Sequence, residues 1–465
     1  MIKTTLVTAQ AFADFQFSGA ELGDARRSKR LVQLAASMAQ KPCGALHGAL
    51  PDWAALQAAY RLLADEHTTL DRVTAPHRKN VFEACAAAQE VLLVEDTTTL
   101  NYNTLRCVND MGWIGDDEAC KGFHLHSTLA LRIEGWTPSQ EPELTMLGLF
   151  GIHCWTRLHS KRGRGREKKV DRWNRERESQ RWAEVLGARK GPPPGMHWTF
   201  VADREADIYE VFQKCREAGM DWIVRANQPR ALEEEGESVF SAVAQARRLG
   251  QYTLNLRARP NQKRRKAKLD VRATPVTLRG PQRPGGRLGA ETMNGVEVRE
   301  VNPPAGVEAI HWVLLTSWPI GDLSAVLRVI KSYAKRWLIE EFHKALKSGV
   351  GVEDSQLTSA RSLQALIGIL AVVALRLLSL KLLNRNKPDE PVNKNEIGPE
   401  ALLLLEKAYR KPKGGWTNGT VLVAIARMGG FLARKGDGSP GWKTLWQGWH
   451  KLMTMVEAVR LLLGH

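Results

Sequence analysis

The stretches VLLVED (residues 91–96) and WTFVAD (residues 198–203) decide the fold class, because each is a short apolar run that ends in a carboxylate. Short runs rich in β-branched residues are typical of buried strands. Further strand-like runs lie between them, and DIYEVFQKCREAG (residues 207–219) has the composition of a helix. We therefore expect an α/β domain, with Asp96 and Asp203 facing one cleft where the strands end. The alternative is that each acid merely begins a turn.

Residues 250–300 follow a different pattern, in which three runs alternate apolar and polar side chains as half-exposed antiparallel strands do. A basic turn, NQKRRKAK (residues 261–268), separates the first two runs. The pattern predicts a β insertion over about residues 240–305. HWVLLTS (residues 311–317) then resumes the pattern of the core, and one long helix is expected to run to about Lys347. Helices should dominate the remainder.

The chain is strongly basic. Its 465 residues carry 67 Lys and Arg against 50 Asp and Glu, which gives a net charge of +17. Such an excess favours a polyanionic partner, because each neutralised phosphate releases a bound counterion. The alternative is a basic enzyme without such a partner. The six cysteines are scattered and include no Cys-x-x-Cys pair, so we expect neither disulfides nor a Cys-ligated zinc site, as in a cytosolic protein.

Neither a signal peptide nor a membrane span is expected. The first fifteen residues contain one Lys and no long apolar core. The most apolar stretch, Ala365 to Leu375, has eleven residues before Arg376, whereas a membrane span needs about 20. We expect a buried helix there, and a soluble, intracellular protein that does not act at membranes.

The first 75 residues have the pattern of a small helical module. LGDARRSKRLVQLAASMAQ (residues 22–40) offers Asp24 as an N-cap before apolar residues at helical spacing, and WAALQAAYRLLADE (residues 53–66) predicts a second helix. The basic side chains of these helices predict either a surface that docks on DNA or a solvated cationic face: Arg26, Arg27, Arg30 and Arg61.

The segment IKSYAKRWLIEEFHKALKSG (residues 330–349) predicts a helix with one polar stripe. Its core side should hold Leu338 and Phe342. The stripe presents one carboxylate ringed by a phenol and several cations, and the alternative is a solvent face stabilised by Arg336–Glu340 and Glu340–Lys344 pairs. At 100° per residue, six side chains fall within an arc of about 100°, namely Tyr333, Arg336, Glu340, His343, Lys344 and Lys347.

Three motifs carry a resemblance to a known family. They are EDTTTL (residues 95–100), DREADIYE (residues 203–210) and, above all, Y-x-x-R-x-x-x-E-x-x-x-x-x-x-K over residues 333–347. With these motifs the chain resembles the DDE transposases of the insertion-sequence-four family. The similarity extends from LGDARRSKRLV near the start to the W-x-x-LW-x-GW segment late in the chain, so it covers nearly the whole sequence.

The resemblance implies a fold and a site. It implies a ribonuclease-H-like α/β core with a β insertion before the Glu-bearing helix, and a catalytic triad of Asp96, Asp203 and Glu340. These acids would hold two Mg²⁺ ions, for which Mn²⁺ would substitute. Where the nearest family pattern has an Arg after the first motif, this chain has Asn103, so one DNA contact is in doubt. The expected DNA contacts of the core are Tyr333, Arg336, Lys344, Lys347, Arg204 and Arg225, with Trp312 as the platform for a flipped base.

The resemblance also implies a domain order and a reaction. A helical DNA-binding domain would span residues 1–75, the catalytic domain residues 76–365, and a helical dimerisation domain residues 366–465. The reaction would be cut-and-paste transposition, with hydrolysis at transposon ends, hairpin formation and resolution, and strand transfer. Partners would be double-stranded terminal inverted repeats, target DNA and a second copy of the chain in a synaptic complex.

Two alternatives remain open from sequence: a structure-directed nuclease on the same fold, and a domesticated DNA-binding protein without catalysis. The location implied is the bacterial cytoplasm, in association with the nucleoid. Glu205, Asp207 and Glu341 are nearby acids that we do not expect to bind metal. His124 and His126 lack a third ligand at a suitable spacing, which argues against zinc.

The last helix carries an apolar stripe at i, i+3, i+4 and i+7 spacing. This stripe would pack internally or, as in the family, join two protomers. Its members are Leu452, Met455, Val456, Val459, Leu462 and Leu463.

Overall fold

The computed structural model describes most of the chain, and the secondary structure confirms the α/β expectation. The described residues are 8–105, 108, 110–115, 119–157, 178–256, 265–283, 285–386, 388–392, 397–434 and 437–463. The charged segment before Glu178 (residues 158–177) and the first half of the basic turn (residues 261–264) therefore lie outside the described residues.

A nine-stranded mixed sheet forms the centre of the protein. The strand order is β3-β2-β1-β4-β5-β11-β10-β7-β6, in which β1, β4 and β5 are parallel and the other neighbours are antiparallel. The inserted strands therefore extend the central sheet through β11. The strands are β1 (Glu90–Asn101), β2 (Gly122–Trp136), β3 (Pro142–Trp155), β4 (His197–Ala202), β5 (Asp221–Arg225), β6 (Arg248–Leu256), β7 (Arg265–Leu278), β10 (Glu291–Glu300) and β11 (His311–Thr316), with a separate small ribbon of β8 (Gln282–Arg283) and β9 (Gly286–Arg287).

Helices flank this sheet and make up both ends of the described chain. Among the described residues, five helices precede the sheet, three lie between its strands, and six follow β11. They are α1 (Ala9–Phe17), α2 (Ala25–Gln40), α3 (Leu46–Ala49), α4 (Trp53–Ala64), α5 (Leu70–Ala86), α6 (Glu178–Gly187), α7 (Tyr209–Glu217), α8 (Val239–Gln245), α9 (Leu323–Ala334), α10 (Trp337–Lys344), α11 (Ala360–Asn386), α12 (Pro399–Ala408), α13 (Asn418–Met428) and α14 (Trp442–Leu463).

Local sequence explains where the first helices begin. The Asp24 carboxylate accepts a hydrogen bond from the Arg26 amide at 2.7 Å, which caps α2 as expected. Asp52 caps α4 in the same way through the Ala55 amide. The apolar face of α2, including Leu31, is buried, so its exposed cations are left on the opposite face.

The sheet separates two apolar cores, because alternate residues of each strand point to opposite sides. Leu92 and Val94 of β1 belong to the first core, which the N-terminal helices, α10 and α11 also line. Val91 and Leu93 belong to the second core, with α6, α7 and α8. Along β1, even-numbered residues such as Leu92 and Val94 therefore point to the first core, and odd-numbered residues such as Val91 and Leu93 point to the second.

Two expectations about element boundaries are wrong. β1 does not end at Asp96 but continues to Asn101, because its second half pairs with β2 on the other side. The long helix expected up to Lys347 is divided. At Lys335 and Arg336 the backbone makes i to i−3 hydrogen bonds, which tighten the turn and separate α9 from α10.

The apolar helix α11 crosses the interior of the protein. Its first twenty residues, Ala360–Ser379, are long and apolar enough to cross a membrane, but 89% of its most apolar part is buried inside the protein. The buried helix expected at residues 365–375 is therefore present. Arg376 does not end it, since this side chain is also buried, beside Phe12 of α1 and Trp449 of α14.

Candidate active site

Asp96 and Asp203 occupy equivalent positions on neighbouring strands. Val94 of β1 pairs with Val201 of β4 in parallel register, and each aspartate lies two residues further along its strand direction. Val94 and Val201 both belong to the first core. The side chains of the two aspartates therefore point to the same side of the sheet, just beyond the last residues that pair β1 with β4.

Arg336 brings the third acid to this edge. Its Nη1 lies 3.4 Å from Oδ2 of Asp96, and its Nη2 lies 2.5 Å from Oε1 of Glu340. Glu340 is in the first turn of α10, and its side chain is 43% exposed, whereas that of Asp96 is 16% exposed. The Arg336–Glu340 pair that we weighed as a surface contact is thus part of a bridge to Asp96.

The electrostatics of the site favour a cation. Burial raises the pKa of Asp96 and repulsion from Asp203 raises it further, to about 7, although Arg336 acts in the opposite direction. Asp203 also caps a short 3-10 turn, because its carboxylate accepts a hydrogen bond from the Glu205 amide at 2.9 Å. A buried carboxylate beside a second one is stabilised in its charged form by a positive ion.

The donor types fit hard divalent cations, which prefer oxygen ligands. Within the described residues, however, no group of three or more His, Cys, Asp or Glu side chains is close enough to hold a metal ion. Glu340 is paired with Arg336, whose guanidinium supplies the positive charge between Glu340 and Asp96. The residues therefore fit a metal by chemistry, but the three acids are not gathered into one cluster.

An aromatic pair and cations surround the acids. Tyr333, at the end of α9, is buried and meets Trp312 of β11 edge to face, with ring centroids 5.5 Å apart. Burial raises the pKa of Tyr333, while the charges of Arg336 and Arg225 lower it. Arg225 is half-buried and donates to the His311 carbonyl at 2.9 Å, and Arg204 is exposed beside Asp203. Trp312 therefore packs on Tyr333, and of these cations Arg336 makes the contacts with Asp96 and Glu340 described above.

Lys344 and Lys347 lie further along the same segment. Lys344 is exposed, with its ammonium 3.5 Å from a Glu341 oxygen. Lys347 is in a π-helical turn, Ala345–Gly349, that continues α10. The regular 100° spacing assumed from the sequence therefore fails at both ends of α10, since a tight turn precedes it and a wide turn follows it.

The four N-terminal arginines are not equivalent. Arg26, Arg30 and Arg61 are exposed. Arg27 forms an ion pair with Asp65 at 2.9 Å and donates to the Leu22 carbonyl at 2.9 Å. Asn103 is exposed in the loop after β1, and its amide donates to the side chain of Asn101.

A buried charge network on the opposite side of the sheet escaped the sequence analysis. Glu95 is fully buried and is bonded to Arg189 and, at 2.9 Å, to Nε2 of His126. Although burial opposes ionisation, these partners hold the pKa of Glu95 at about 2. His126 also contacts the Thr97 hydroxyl at 3.0 Å, so the network holds both neighbours of Asp96. The signal in the sequence was Glu95 itself, a charged residue inside an apolar strand, which requires buried partners.

The nearby acids have structural partners. Asp207 is buried, pairs with Arg230 and accepts from the Asn227 amide at 2.7 Å. Glu341 contacts the C-terminal helices. Glu205 is exposed, and its charge raises the pKa of Asp96.

Three protein-family models match successive parts of this chain. A transposase DNA-binding model matches residues 9–68, a transposase DDE domain model matches residues 197–376, and the transposase Tn5 dimerisation domain model matches residues 372–463. Asp203 and Glu340 lie inside the second match and Asp96 lies before it. The mixed sheet with helical regions at both ends is thus a ribonuclease-H-like DDE transposase fold.

These findings define a class of enzyme, the metal-dependent transposases that cleave DNA and transfer its strands. Within that class the chain belongs to the Tn5-like DDE transposases, in agreement with the insertion-sequence-four family. Its partners are DNA and a second copy of itself. DDE transposase domains use divalent metal ions. A transposase that acts on DNA is expected to be soluble and intracellular.

Proposed function

We propose that Asp96, Asp203 and Glu340 are the catalytic acids of this transposase and that they hold two Mg²⁺ ions, with Mn²⁺ as a substitute. The observation that carries this assignment is the bridge from Asp96 through Arg336 to Glu340, beside an aspartate in equivalent register. When bound, such ions activate the attacking oxygen and stabilise the leaving oxygen of a phosphodiester.

The cations and aromatic residues around the acids position the DNA. Arg336 suits a bidentate contact with phosphate, and Lys347 and Lys344 supply point charges along the same segment. Arg225 and Arg204 extend the positive surface on the side of Asp203. Tyr333 packs edge to face on Trp312, and the charges of Arg225 and Arg336 act on its hydroxyl.

Trp312 receives a base that is flipped out of the duplex during hairpin formation. An aromatic platform contributes about 1–3 kcal/mol per stacked base. The edge-to-face contact with Tyr333 fixes the Trp312 ring and lowers the entropic cost of stacking.

The reaction then follows the cut-and-paste order. Water cleaves one strand at each transposon end, and the freed 3′ hydroxyl attacks the opposite strand to form a hairpin. A second water opens the hairpin, and the 3′ hydroxyl joins the target DNA. The arginines and lysines named above orient the phosphates in each of these steps.

We propose the same division into three domains that the sequence predicts. Residues 1–75, with Arg26, Arg27, Arg30 and Arg61, bind terminal inverted repeats, and residues 76–365 carry the chemistry. Residues 366–465 join two protomers in the synaptic complex. Support for the last point comes from Met455 and Leu462 of α14, which are 39% and 86% exposed, while Leu452 and Val456 of the same stripe are buried. The enzyme works at the nucleoid in the bacterial cytoplasm.

A strand-transfer assay tests this proposal. The substrate is a duplex that ends in the inverted repeat flanking the gene for this chain. Purified protein with Mg²⁺ should nick the end, form a hairpin and join the end to plasmid DNA. Cleavage without joining would favour a nuclease and contradict the proposal.

A further inference from the structure

Glu341, the immediate neighbour of Glu340, connects the catalytic helix to the C-terminal region. Its Oε2 accepts hydrogen bonds from the Lys381 ammonium at 2.7 Å and from the Trp442 indole N–H at 3.1 Å. Lys381 belongs to α11, and Trp442 is the first residue of α14. Both lie inside the region matched by the dimerisation model. The side chain of Glu341 is only 17% exposed.

The three groups form a compact junction. The Lys381 ammonium lies 4.1 Å from the centre of the Trp442 ring, so Trp442 contacts both members of the Lys381–Glu341 pair. Charge-assisted hydrogen bonds to a half-buried carboxylate are stronger than neutral ones. The junction therefore fixes the side of α10 that bears Glu341.

The next turn of the same segment packs on the same partners. The π-helical turn Ala345–Gly349 contacts both α11 and α14. Single π turns inside helices are often found at functional sites. The catalytic helix is therefore held by the C-terminal region at two successive turns.

Because Glu340 and Glu341 are adjacent on one helix, the contacts of Glu341 also constrain the direction of the Glu340 side chain. Adjacent residues are about 100° apart around the axis, so Glu341 faces α11 and α14 while Glu340 faces Arg336 and Asp96. A rotation of α10 about its axis would move both carboxylates together. The Glu341 junction limits that rotation.

We propose that Glu341 is a positioning residue, which holds Glu340 toward the other catalytic acids through its contacts with Lys381 and Trp442. The packing of the dimerisation region against α10 thereby sets the orientation of Glu340. This inference rests on the proposed role of Glu340. Displacements of about 1 Å in a catalytic group can cost 10²-fold in rate, so a modest rotation is sufficient.

The test compares full-length variants in single-turnover cleavage of the repeat-ended duplex over a range of Mn²⁺ concentrations. Glu341→Ala and Trp442→Phe should lower the rate constant at least about tenfold and raise the Mn²⁺ concentration at half-maximal rate. Glu341→Gln, which keeps an acceptor oxygen, should have a smaller effect. In metal-free protein, hydrogen–deuterium exchange of residues 337–349 should rise in the first two variants.

The matched control is Glu400→Gln, which removes an ion pair (3.3 Å) between Glu400 of α12 and Arg460 of α14. It should leave the rate constant, the Mn²⁺ midpoint and the exchange of residues 337–349 unchanged. A merely structural role of Glu341 would reduce only the burst amplitude, the melting temperature or the dimer mass, and that outcome overturns the proposal.

A second control separates the two proposals. Glu340→Gln should abolish cleavage. If this variant cleaves like the parent, the catalytic assignment of Glu340 fails. If it is inactive while Glu341→Ala has a normal rate constant and midpoint, only the positioning role fails.

Discussion

Asp96 and Arg336 are 240 positions apart in the chain, yet their side chains form a 3.4 Å ion pair at the edge of the sheet. Arg336 also binds Glu340, so one guanidinium lies between two of the proposed catalytic acids. The carboxylates of Asp96 and Glu340 are therefore balanced by the positive charge of Arg336. The predictions for the site follow from that charge balance.

Asp96→Asn should abolish end cleavage and preserve DNA binding, because the amide keeps the shape of the side chain but carries no negative charge. The reduction in rate should be about 10²-fold or more, since metal-assisted stabilisation contributes several kcal/mol. Gel-shift and nicking assays on the same duplex measure the two effects. Glu205→Gln, an exposed acid nearby, is the control and should cleave within a few-fold of the parent. Equal nicking by Asp96→Asn would reject the assignment.

Removal of divalent cations should stop cleavage without releasing the DNA ends. The acids hold the ions, whereas the DNA contacts proposed here are arginines, lysines and aromatic residues that need no metal. Addition of EDTA should therefore leave the gel-shifted complex in place, and excess Mg²⁺ should restore nicking. Metal-independent nicking by the purified protein would contradict the proposed site.

Trp312→Ala should separate the first nick from hairpin formation. First-strand nicking should persist, while hairpin yield should fall by about tenfold, which corresponds to a reduction of about 1.4 kcal/mol in stacking free energy. Denaturing gels resolve the nicked and hairpin products. Trp318→Phe serves as the control, because Trp318 packs beyond the end of the same strand and donates to Thr199 instead of packing on Tyr333. Normal hairpin yield from Trp312→Ala would remove its proposed role.

The sequence could predict those parts of the fold and site that depend on local pattern. The apolar run before Asp96 and the run before Asp203 predicted two strands, and alternation predicted the inserted strands. The capping role of Asp24 was also visible, because an N-cap and its helix are neighbours in sequence.

Contacts that depend on tertiary structure could not be predicted in this way. Nothing local indicates that Glu95 pairs with Arg189, since the partner comes from a distant loop. The break at Lys335 could not be predicted because Ala334, Lys335 and Arg336 are all good helix formers, so the local sequence does not mark the tightened turn. The contacts of Glu341 could not be predicted either, because its partners Lys381 and Trp442 lie far along the chain.

The exposed N-terminal arginines should contribute to DNA binding through phosphate charge. Replacing Arg26 or Arg30 with Ala should weaken binding of the repeat duplex and reduce the slope of log K against log salt by about 0.9 for each phosphate that is no longer neutralised. Arg27→Ala should also lower the melting temperature, because Arg27 is paired with Asp65 and the Leu22 carbonyl. Salt titrations and thermal melts of the three variants measure these effects. An unchanged salt slope for both Arg26→Ala and Arg30→Ala would show that these side chains do not bind phosphate.

His77 should make the folded state sensitive to acid. This buried side chain accepts a hydrogen bond from the Leu149 amide at 3.0 Å through Nε2 and contacts the Gln16 amide oxygen through Nδ1, so it joins α5 to β3 and α1 in its neutral form. Burial lowers the pKa of His77 from 6.5 to about 3. The unfolded chain therefore binds a proton that the folded chain does not bind over this interval. The stabilisation is complete above pH 6.5 and is lost as the pH falls toward 3, by up to about 1.4 kcal/mol per pH unit.

His77→Gln should be less stable than the parent at pH 7.5, and its unfolding free energy should fall less steeply between pH 6.5 and 4. Urea unfolding at a series of pH values measures both slopes, and the difference between them isolates His77 from the other titrating groups. His197→Gln is the matched control for the change of side chain, because it makes the same substitution at a largely exposed histidine. Parallel curves for the parent and His77→Gln would mean that His77 is not held neutral in the folded protein.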